Sequence, residues 1–279
     1  MPPAAESADR HWDSVAPSWD FYSSPARPCD EDVATFLRFA ATYSDTPAIA
    51  TNAVLMLGVT PEIATMAWPA GTVVTGVDKS EAMVNRVWPG DIPGVRHARC
   101  DDWFALPPPL RPYDLVIGDG SINTLRYPGE LRRLLARLRS LARPGALLIL
   151  RSFVRPPTPE SVATLVEAAQ DHGIGNFHAF KFRLTMALQS SPEEGVPVNE
   201  VWQAWRRLEL AVERLSKRNG WRPEEIRTIE LSRGKQARLS FPTLDELLAT
   251  LEAEGISVLD RNVPEYEMGD RCPIVVGRI

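Results

Sequence analysis

The sequence predicts an α/β fold: a Rossmann-like, doubly wound, mostly parallel sheet with helices on both faces and an inserted helical lid. Three observations predict it. From Ala53 to Leu150, short apolar β-rich runs alternate with stretches of helical period, the pattern of strands joined by helical crossovers. Residues 158–225 break that alternation with helices around a loop rich in Ser, Pro, Glu and Gly. The alternation then returns from Leu244 to Arg278. Right-handed crossovers make such a sheet doubly wound, and its ligands bind outside the carboxyl ends of the strands.

Residues 1–29 mix Pro, Ala, Ser and Asp with the isolated aromatics Trp12, Trp19, Phe21 and Tyr22. They read as an irregular N-terminal arm with apolar anchors, its first few residues mobile. Val33, Phe36, Leu37 and Ala40 fall at helical spacing after Asp30, predicting a helix over about 31–43. Val54 to Gly58 reads as a strand; a helix follows, with Thr60 as its N-cap, Pro61 in its first turn and Glu62 complementing its positive end. Val73 to Asp78, Val95 to Arg99 and Tyr113 to Asp119 are further strands, and Ser80 to Trp88 is a helix. Leu131, Leu134, Leu135, Leu138 and Leu141 give the helix Pro128–Ala142 one apolar face, while Arg132, Arg133, Arg137, Arg139 and Arg143 take the solvated side. Arg143-Pro144-Gly145 stops that helix before the buried strand Ala146–Leu150. In the insertion, Val198, Val201, Trp202, Trp205, Leu208, Val212 and Leu215 form nearly one stripe of a single helix. A helix from Leu244 and strands Ile256–Asp260 and Pro273–Arg278 complete the chain. The division is therefore an arm at 1–29, an α/β domain at 30–157 and 226–279, and a lid at 158–225.

Composition narrows the function. The chain has 279 residues, is 44% hydrophobic and 24% charged, and carries a net charge of -5, which fits an ordinary globular enzyme and speaks against polyanionic partners such as DNA or RNA. Cys29, Cys100 and Cys272 are odd in number and widely spaced, so neither a disulfide framework nor a bound metal is expected. Met1–Asp20 lacks an apolar signal core and no run is long enough to span a membrane. A cytoplasmic protein is the expectation.

The end of the first strand discriminates between cofactors. A dinucleotide's pyrophosphate needs close backbone approach, usually through G-x-G-x-x-G. Leu57-Gly58-Val59-Thr60-Pro61 has one glycine, and Glu62 would repel phosphate. S-adenosylmethionine has no phosphate, and its sulfonium and ammonium groups welcome a carboxylate. Asp78, twenty residues after Gly58 at the end of the second strand, stands where an acid accepts both ribose hydroxyls. Asp101-Asp102-Trp103 follows the third strand, where a carboxylate can accept from an adenine amino group while the indole or Met83 covers the ring. Plainer roles stay open beside these: Gly58 as a tight turn, Glu62 as a complement to a helix dipole, Asp78 as a helix cap, Asp101-Asp102 as turn residues.

Taken in order, these segments resemble the class I S-adenosylmethionine-dependent methyltransferases. The resemblance rests on Val54-Leu55-Met56-Leu57-Gly58-Val59-Thr60-Pro61-Glu62, Val77-Asp78, Arg99 to Trp103, Tyr113 to Gly120, and Leu141 to Ala146. It covers about Asp30 to Arg155 and resumes at Phe241. The glycine loop is divergent, with Leu-Gly-Val-Thr-Pro-Glu in place of the usual acidic glycine-rich motif and Met56 at the acidic position. The resemblance implies a seven-stranded sheet ending in an antiparallel hairpin, S-adenosylmethionine as cofactor with S-adenosylhomocysteine as product, and methyl transfer to oxygen or nitrogen of a small molecule. It implies cofactor contacts at Gly58, Thr60, Glu62, Asp78, Lys79, Met83, Asp101, Asp102, Trp103 and Asp119. The Asn/Asp-Pro-Pro-Tyr/Phe segment of base-modifying relatives is replaced by Gly118-Asp119-Gly120-Ser121-Ile122-Asn123, which again argues against a nucleic-acid acceptor. A monomer or homodimer is expected.

Candidates for a base are Asp119 at a strand end and His172 and His178 in the insertion; His97, inside a strand, reads as structural. Trp19 and Tyr22 of the arm and Trp202 and Trp205 of the lid are candidates to cover a substrate, and the lid tryptophans serve equally as core or dimer contact. A non-catalytic S-adenosylmethionine-binding or regulatory partner protein is the rival reading, motivated by the altered loop. An NAD(P)-dependent oxidoreductase is a third, disfavoured by the missing glycines.

Overall fold

A computed structural model describes residues 9–43, 53–208 and 212–279. The start of the arm, expected to be mobile, lies outside the described residues. In chain order the elements are α1 (Asp9–Val15), α2 (Asp30–Tyr43), β1 (Ala53–Leu57), α3 (Pro61–Ala64), β2 (Val73–Asp78), α4 (Glu81–Arg86), β3 (Arg96–Cys100), β4 (Tyr113–Asp119), α5 (Gly129–Leu141) and β5 (Ala142–Arg151). The inserted segment adds α6 (Val162–Gln170), α7 (Phe177–Leu188), β6 (Val196–Pro197), α8 (Val198–Arg207), α9 (Val212–Asn219), α10 (Pro223–Arg227) and β7 (Arg238–Leu239). The chain closes with α11 (Leu244–Ala253), β8 (Ser257–Asn262) and β9 (Ile274–Arg278).

The central sheet has seven strands in the order β3-β2-β1-β4-β5-β9-β8. All pairings are parallel except those of β9, which runs antiparallel to both β5 and β8. The chain builds outward from β1 to β3, then returns to place β4 on the other side of β1, so the switch in strand order falls between β1 and β4. A crevice opens at the carboxyl ends of those strands.

Two apolar layers hold the sheet. On one face the predicted leucine stripe of α5 packs with Leu247 and Leu251 of α11 against Leu55, Val116 and Leu148. On the other, Phe36 and Phe39 of α2, Ile63 and Met83 cover Val54, Met56, Ile117 and Ile149. A full capping box at Thr243 and Glu246 starts α11, satisfying two amide donors that the helix start leaves open. The arginine face of α5 is not merely solvated: Arg133 lies 4.2 Å over the Phe104 ring and Arg137 donates to the Leu106 carbonyl, fastening the loop after β3.

Local expectations fail in three places. Thr60 occupies the N-cap of α3 without a side-chain cap bond. The helix stop at Arg143-Pro144-Gly145 lies inside β5, which pairs with β4 from Ala142 onward across a register shift. Gly145 has φ +77 there, so its freedom at positive φ shapes an irregularity in the strand rather than a helix cap. The single stripe of Val198 to Leu215 divides into α8 and α9, with Leu208 the C-cap of α8; residues 209–211 lie outside the described residues.

A third apolar cluster has Phe177, Phe180, Trp205 and Trp221 of the inserted segment at its centre and takes in Phe153, Phe241, Met268 and Cys272 from the rest of the chain. The segment's packing continues past residue 225, because β7 pairs with β6. Buried Asn123 stitches it to the sheet: its amide donates to the carbonyls of Phe153 and Ser240 at 2.7 and 2.8 Å and its oxygen accepts from the Phe153 N–H at 2.9 Å.

Candidate functional site

The crevice is a cleft of about 650 Å³, within the range of small-molecule and cofactor sites. Its floor is the row of strand ends. At the end of β1, Gly58 turns with φ +106, and its N–H donates to the Val77 carbonyl at 2.8 Å. A Cβ there would point at Asp78, 3.9 Å from its Oδ2, so a bare glycine keeps the gap between turn and carboxylate open. Asp78 Oδ1 accepts from the Ser80 N–H at 2.8 Å, which fixes the carboxylate's orientation. Ser80 caps α4 by accepting from the Met83 N–H, and donates to Asp13 of the arm.

Beyond β3, the Trp103 indole N–H donates to the Val77 carbonyl at 2.7 Å, laying the ring along the end of β2. Asp102 accepts from the Phe104 N–H at 2.9 Å and pairs with Lys79 at 3.0 Å. At the end of β4, Gly120 has φ +61 and an added Cβ would meet the Phe153 ring at 2.7 Å, so a side chain is excluded both sterically and by backbone conformation. Ser121 donates to the Leu57 carbonyl at 2.8 Å, joining β1 and β4 across the switch. The arm roofs one side with Trp12, Trp19 and Tyr22; the inserted segment roofs the other with Phe182, Arg238 and Leu239.

Behind the floor lies an ionic network that the sequence did not announce. Arg151, fully buried at the end of β5, donates to Asp119 at 2.5 Å, to the Pro25 carbonyl at 2.6 Å and to the Tyr266 hydroxyl at 3.0 Å. It also lies 3.2 Å from Asp32 of α2. Tyr266 donates to Asp32 at 2.9 Å. One guanidinium thus ties together β4, α2, the arm and the segment before β9. Burial pushes the Asp119 carboxyl up to about 6, against the pull of Arg151.

Of the residues singled out from sequence, Gly58, Thr60, Asp78, Lys79, Met83, Asp102, Trp103, Asp119, Trp19 and Tyr22 line this one cleft. The others lie elsewhere. Glu62 is turned to the arm: Arg27 binds its Oε1 at 2.6 Å while stacking over Trp19. Asp101 accepts from the Asp102 N–H at 2.8 Å and pairs with Arg99. Trp205 is buried against Phe177 and Phe180, and Trp202 donates to Glu230 under the Arg233 guanidinium, so neither covers the cleft. His172 sits at φ +64 in an exposed turn after α6. His178 is buried; its Nε2 lies 3.0 Å from the Phe21 carbonyl and its ring stacks on Tyr22. Burial and the nearby Lys181 push it down to about 4, which suits an anchor for the arm better than a base. Asn123, Phe153, Phe182 and Arg151 are the residues the sequence reading missed. Arg151 alone carried a signal, a charge placed directly after a buried strand.

Among the described residues no cluster of three His, Cys, Asp or Glu side chains is arranged to hold a metal, and no helix is long and apolar enough to cross a membrane.

No family model and no curated protein matches the chain. Solved structures do match. A Rhodobacter sphaeroides protein named as a candidate Zn-dependent alcohol dehydrogenase superposes with a TM-score of 0.62 over 98% of this chain and 99% of its own, at 16% identity. The CcbJ methyltransferase from Streptomyces caelestis gives 0.56 over 98% of both chains at 17% identity. The (4+2)-cyclase SpnF gives 0.55 over 99% of this chain and 97% of its own at 12% identity. The chain therefore has the α/β fold of a group that includes a methyltransferase, and because that fold also carries a cyclase, its chemistry has to be argued from the cleft.

Proposed function

We propose that the cleft binds S-adenosylmethionine and that the protein transfers its methyl group to an oxygen or nitrogen of a small-molecule acceptor. The observation that carries this reading is the pairing of a single-glycine turn at Gly58 with the oriented carboxylate of Asp78 across an open gap. In this reading it is a site for a ribose, and a turn with one glycine gives less of the close backbone approach that a pyrophosphate needs. In this reading Asp78 holds the ribose hydroxyls, Met83 and Trp103 enclose the adenine, and Asp102 accepts from its amino group. The methionine end lies toward Thr60 and Asp119. Bound there, the cofactor supplies an electrophilic methyl group on a sulfonium. The protein's part is to fix both reactants under the arm and lid and to exclude water. A roofed cleft of about 650 Å³ suits a small acceptor better than a polymer.

The test is turnover: incubation with isotopically methyl-labelled S-adenosylmethionine and a panel of small phenols, acids and amines should release S-adenosylhomocysteine with label in one acceptor class. Tight cofactor binding with no transfer across the panel would favour the binding-only reading instead.

Asp119 gives this reading a pH signature. A cationic sulfonium favours the ionised carboxylate, so affinity for S-adenosylmethionine should weaken as pH falls through about 6, where Asp119 takes up its proton. S-adenosylhomocysteine, which lacks the sulfonium charge, should show a shallower dependence. Equal slopes for the two ligands, or a slope unchanged in Asp119→Asn, would remove Asp119 from the cofactor's surroundings.

A further inference from the structure

The cleft divides at the switch in strand order. On one side, at the ends of β1, β2 and β3, stand Gly58, Asp78, Lys79, Met83, Asp102 and Trp103; on the other, at the ends of β4 and β5 and under the inserted segment, stand Leu125, Phe153, Phe182 and Leu239. This second group is an apolar wall. Phe153, two residues past β5, and Leu125, after the turn that follows β4, are buried, whereas Phe182 of α7 and Leu239 of β7 are half-buried. Phe182 stacks on Phe153 with ring centroids 4.2 Å apart, and Phe241 meets Phe182 edge-on at 6.3 Å. The Arg151 guanidinium lies 5.3 Å from the Phe153 ring centre, and Asn123 grips the Phe153 backbone at both its N–H and its carbonyl. Phe153 is thus a fixed backing, and Phe182 is the ring that the lid presents. A Cβ on Gly120 would meet the Phe153 ring at 2.7 Å, so this wall abuts the end of β4, beside Asp119.

The polar side chains interleaved with the wall have their donors occupied. Ser121 donates to the Leu57 carbonyl at 2.8 Å, Thr124 to the Ser121 carbonyl at 2.7 Å, and the Asn123 amide to the carbonyls of Phe153 and Ser240. Arg126, Gln236 and Arg238 are exposed, where the cleft meets solvent. Arg238 donates to the Glu194 carbonyl at 2.7 Å, and half-buried Glu130 accepts from the Arg126 N–H at 2.8 Å. A charged or many-hydroxyl group lodged against Phe182 and Leu125 would leave water without a partner to meet it, whereas apolar surface gains by burial there. Sites of this kind take affinity from the apolar wall and orientation from a few polar groups.

We infer that the acceptor has an uncharged, apolar ring as its body, which lies against Phe182, Leu125 and Leu239 and turns its oxygen or nitrogen toward Asp119 at the end of β4. The word acceptor rests on the methyl-transfer reading; the apolar subsite does not.

The probe is 2-naphthylmethanol. Its comparisons are 2-naphthoate, the same ring with an anionic group, and myo-inositol, a ring covered with hydroxyls; each is titrated by calorimetry with S-adenosylhomocysteine present and absent. The wild-type protein should bind naphthylmethanol about tenfold or more tighter than either comparison. Phe182→Asn should weaken naphthylmethanol binding by about tenfold, while Phe182→Leu, still apolar, should keep most of it. Leu239→Ser, on a different element, should weaken it too, and this covers a Phe182→Asn protein that fails to fold. Naphthoate or inositol binding as tightly as naphthylmethanol, or naphthylmethanol affinity unchanged in folded Phe182→Asn and Leu239→Ser proteins, overturns the inference. Binding of S-adenosylhomocysteine is read separately in the same proteins. If it fails while the Phe182-dependent binding of naphthylmethanol persists, the cofactor reading falls and the apolar subsite stands; the reverse result removes the subsite alone.

Discussion

Arg151→Met is expected to lower the free energy of unfolding by about 3–5 kcal/mol, the scale for removing one partner from a buried charge network. The methionine fills the volume but leaves Asp32 and Asp119 as buried carboxylates without their cation, and frees the Pro25 carbonyl and the Tyr266 hydroxyl from the guanidinium. The sign of its pH dependence follows. With the cation gone, the folded-state carboxyl of Asp119 rises further above its already raised value near 6, and the penalty is greatest where it must ionise. The deficit should therefore shrink as the pH is lowered toward about 6, where the wild-type carboxyl also takes up its proton, and level off below it. Denaturant midpoints for wild type and variant across that interval measure it. Adding Asp32→Asn and Asp119→Asn to Arg151→Met should restore much of the lost stability, since a neutral set of partners carries no unpaired charge. A loss under about 1 kcal/mol for Arg151→Met, well below the scale of a buried pair, would mean that the network does not hold the arm to the sheet.

Asp78→Ala should weaken S-adenosylhomocysteine binding by about 1–3 kcal/mol, the range for losing hydrogen bonds to a charged acceptor, or roughly fivefold to 150-fold in Kd. The substitution also removes the bond from the Ser80 N–H, so circular dichroism and the denaturation midpoint must accompany the titration. Asp78→Asn keeps an acceptor in place and should fall between the two. An affinity unchanged in Asp78→Ala, in protein of normal stability, would show that no ribose lies on this carboxylate.

The sheet was legible because each strand is a short apolar run and each crossover an amphipathic stretch, so periodicity alone separates them. The floor of the cleft was legible for a related reason: in a doubly wound sheet, position in the chain predicts which strand ends meet, and Gly58, Asp78 and Asp119 each end a predicted strand, with Trp103 four residues beyond another. What sequence could not supply is register and long-range pairing. Asp119 and Arg151 are partners across β4 and β5, yet they stand 32 residues apart, and neither has a local reason to point at the other. Glu62 shows the same limit: its place near the glycine loop is as expected, while its orientation is set by Arg27, thirty-five residues earlier. Trp202 and Trp205 failed because an apolar stripe tells that a helix is covered, not by what; Phe177 and Phe180 cover Trp205. His178 and Lys181 sit on a helix whose buried positions run nearly all round it, leaving no amphipathic pattern to show which side meets the arm.

The proposed occupant of this floor is a phosphate-free nucleoside cofactor. Calorimetric titration of the purified protein with S-adenosylhomocysteine, with NAD as the control, tests it without requiring any acceptor. The account predicts micromolar binding of S-adenosylhomocysteine and none of NAD. Folded protein that binds NAD, or that binds neither, would contradict it.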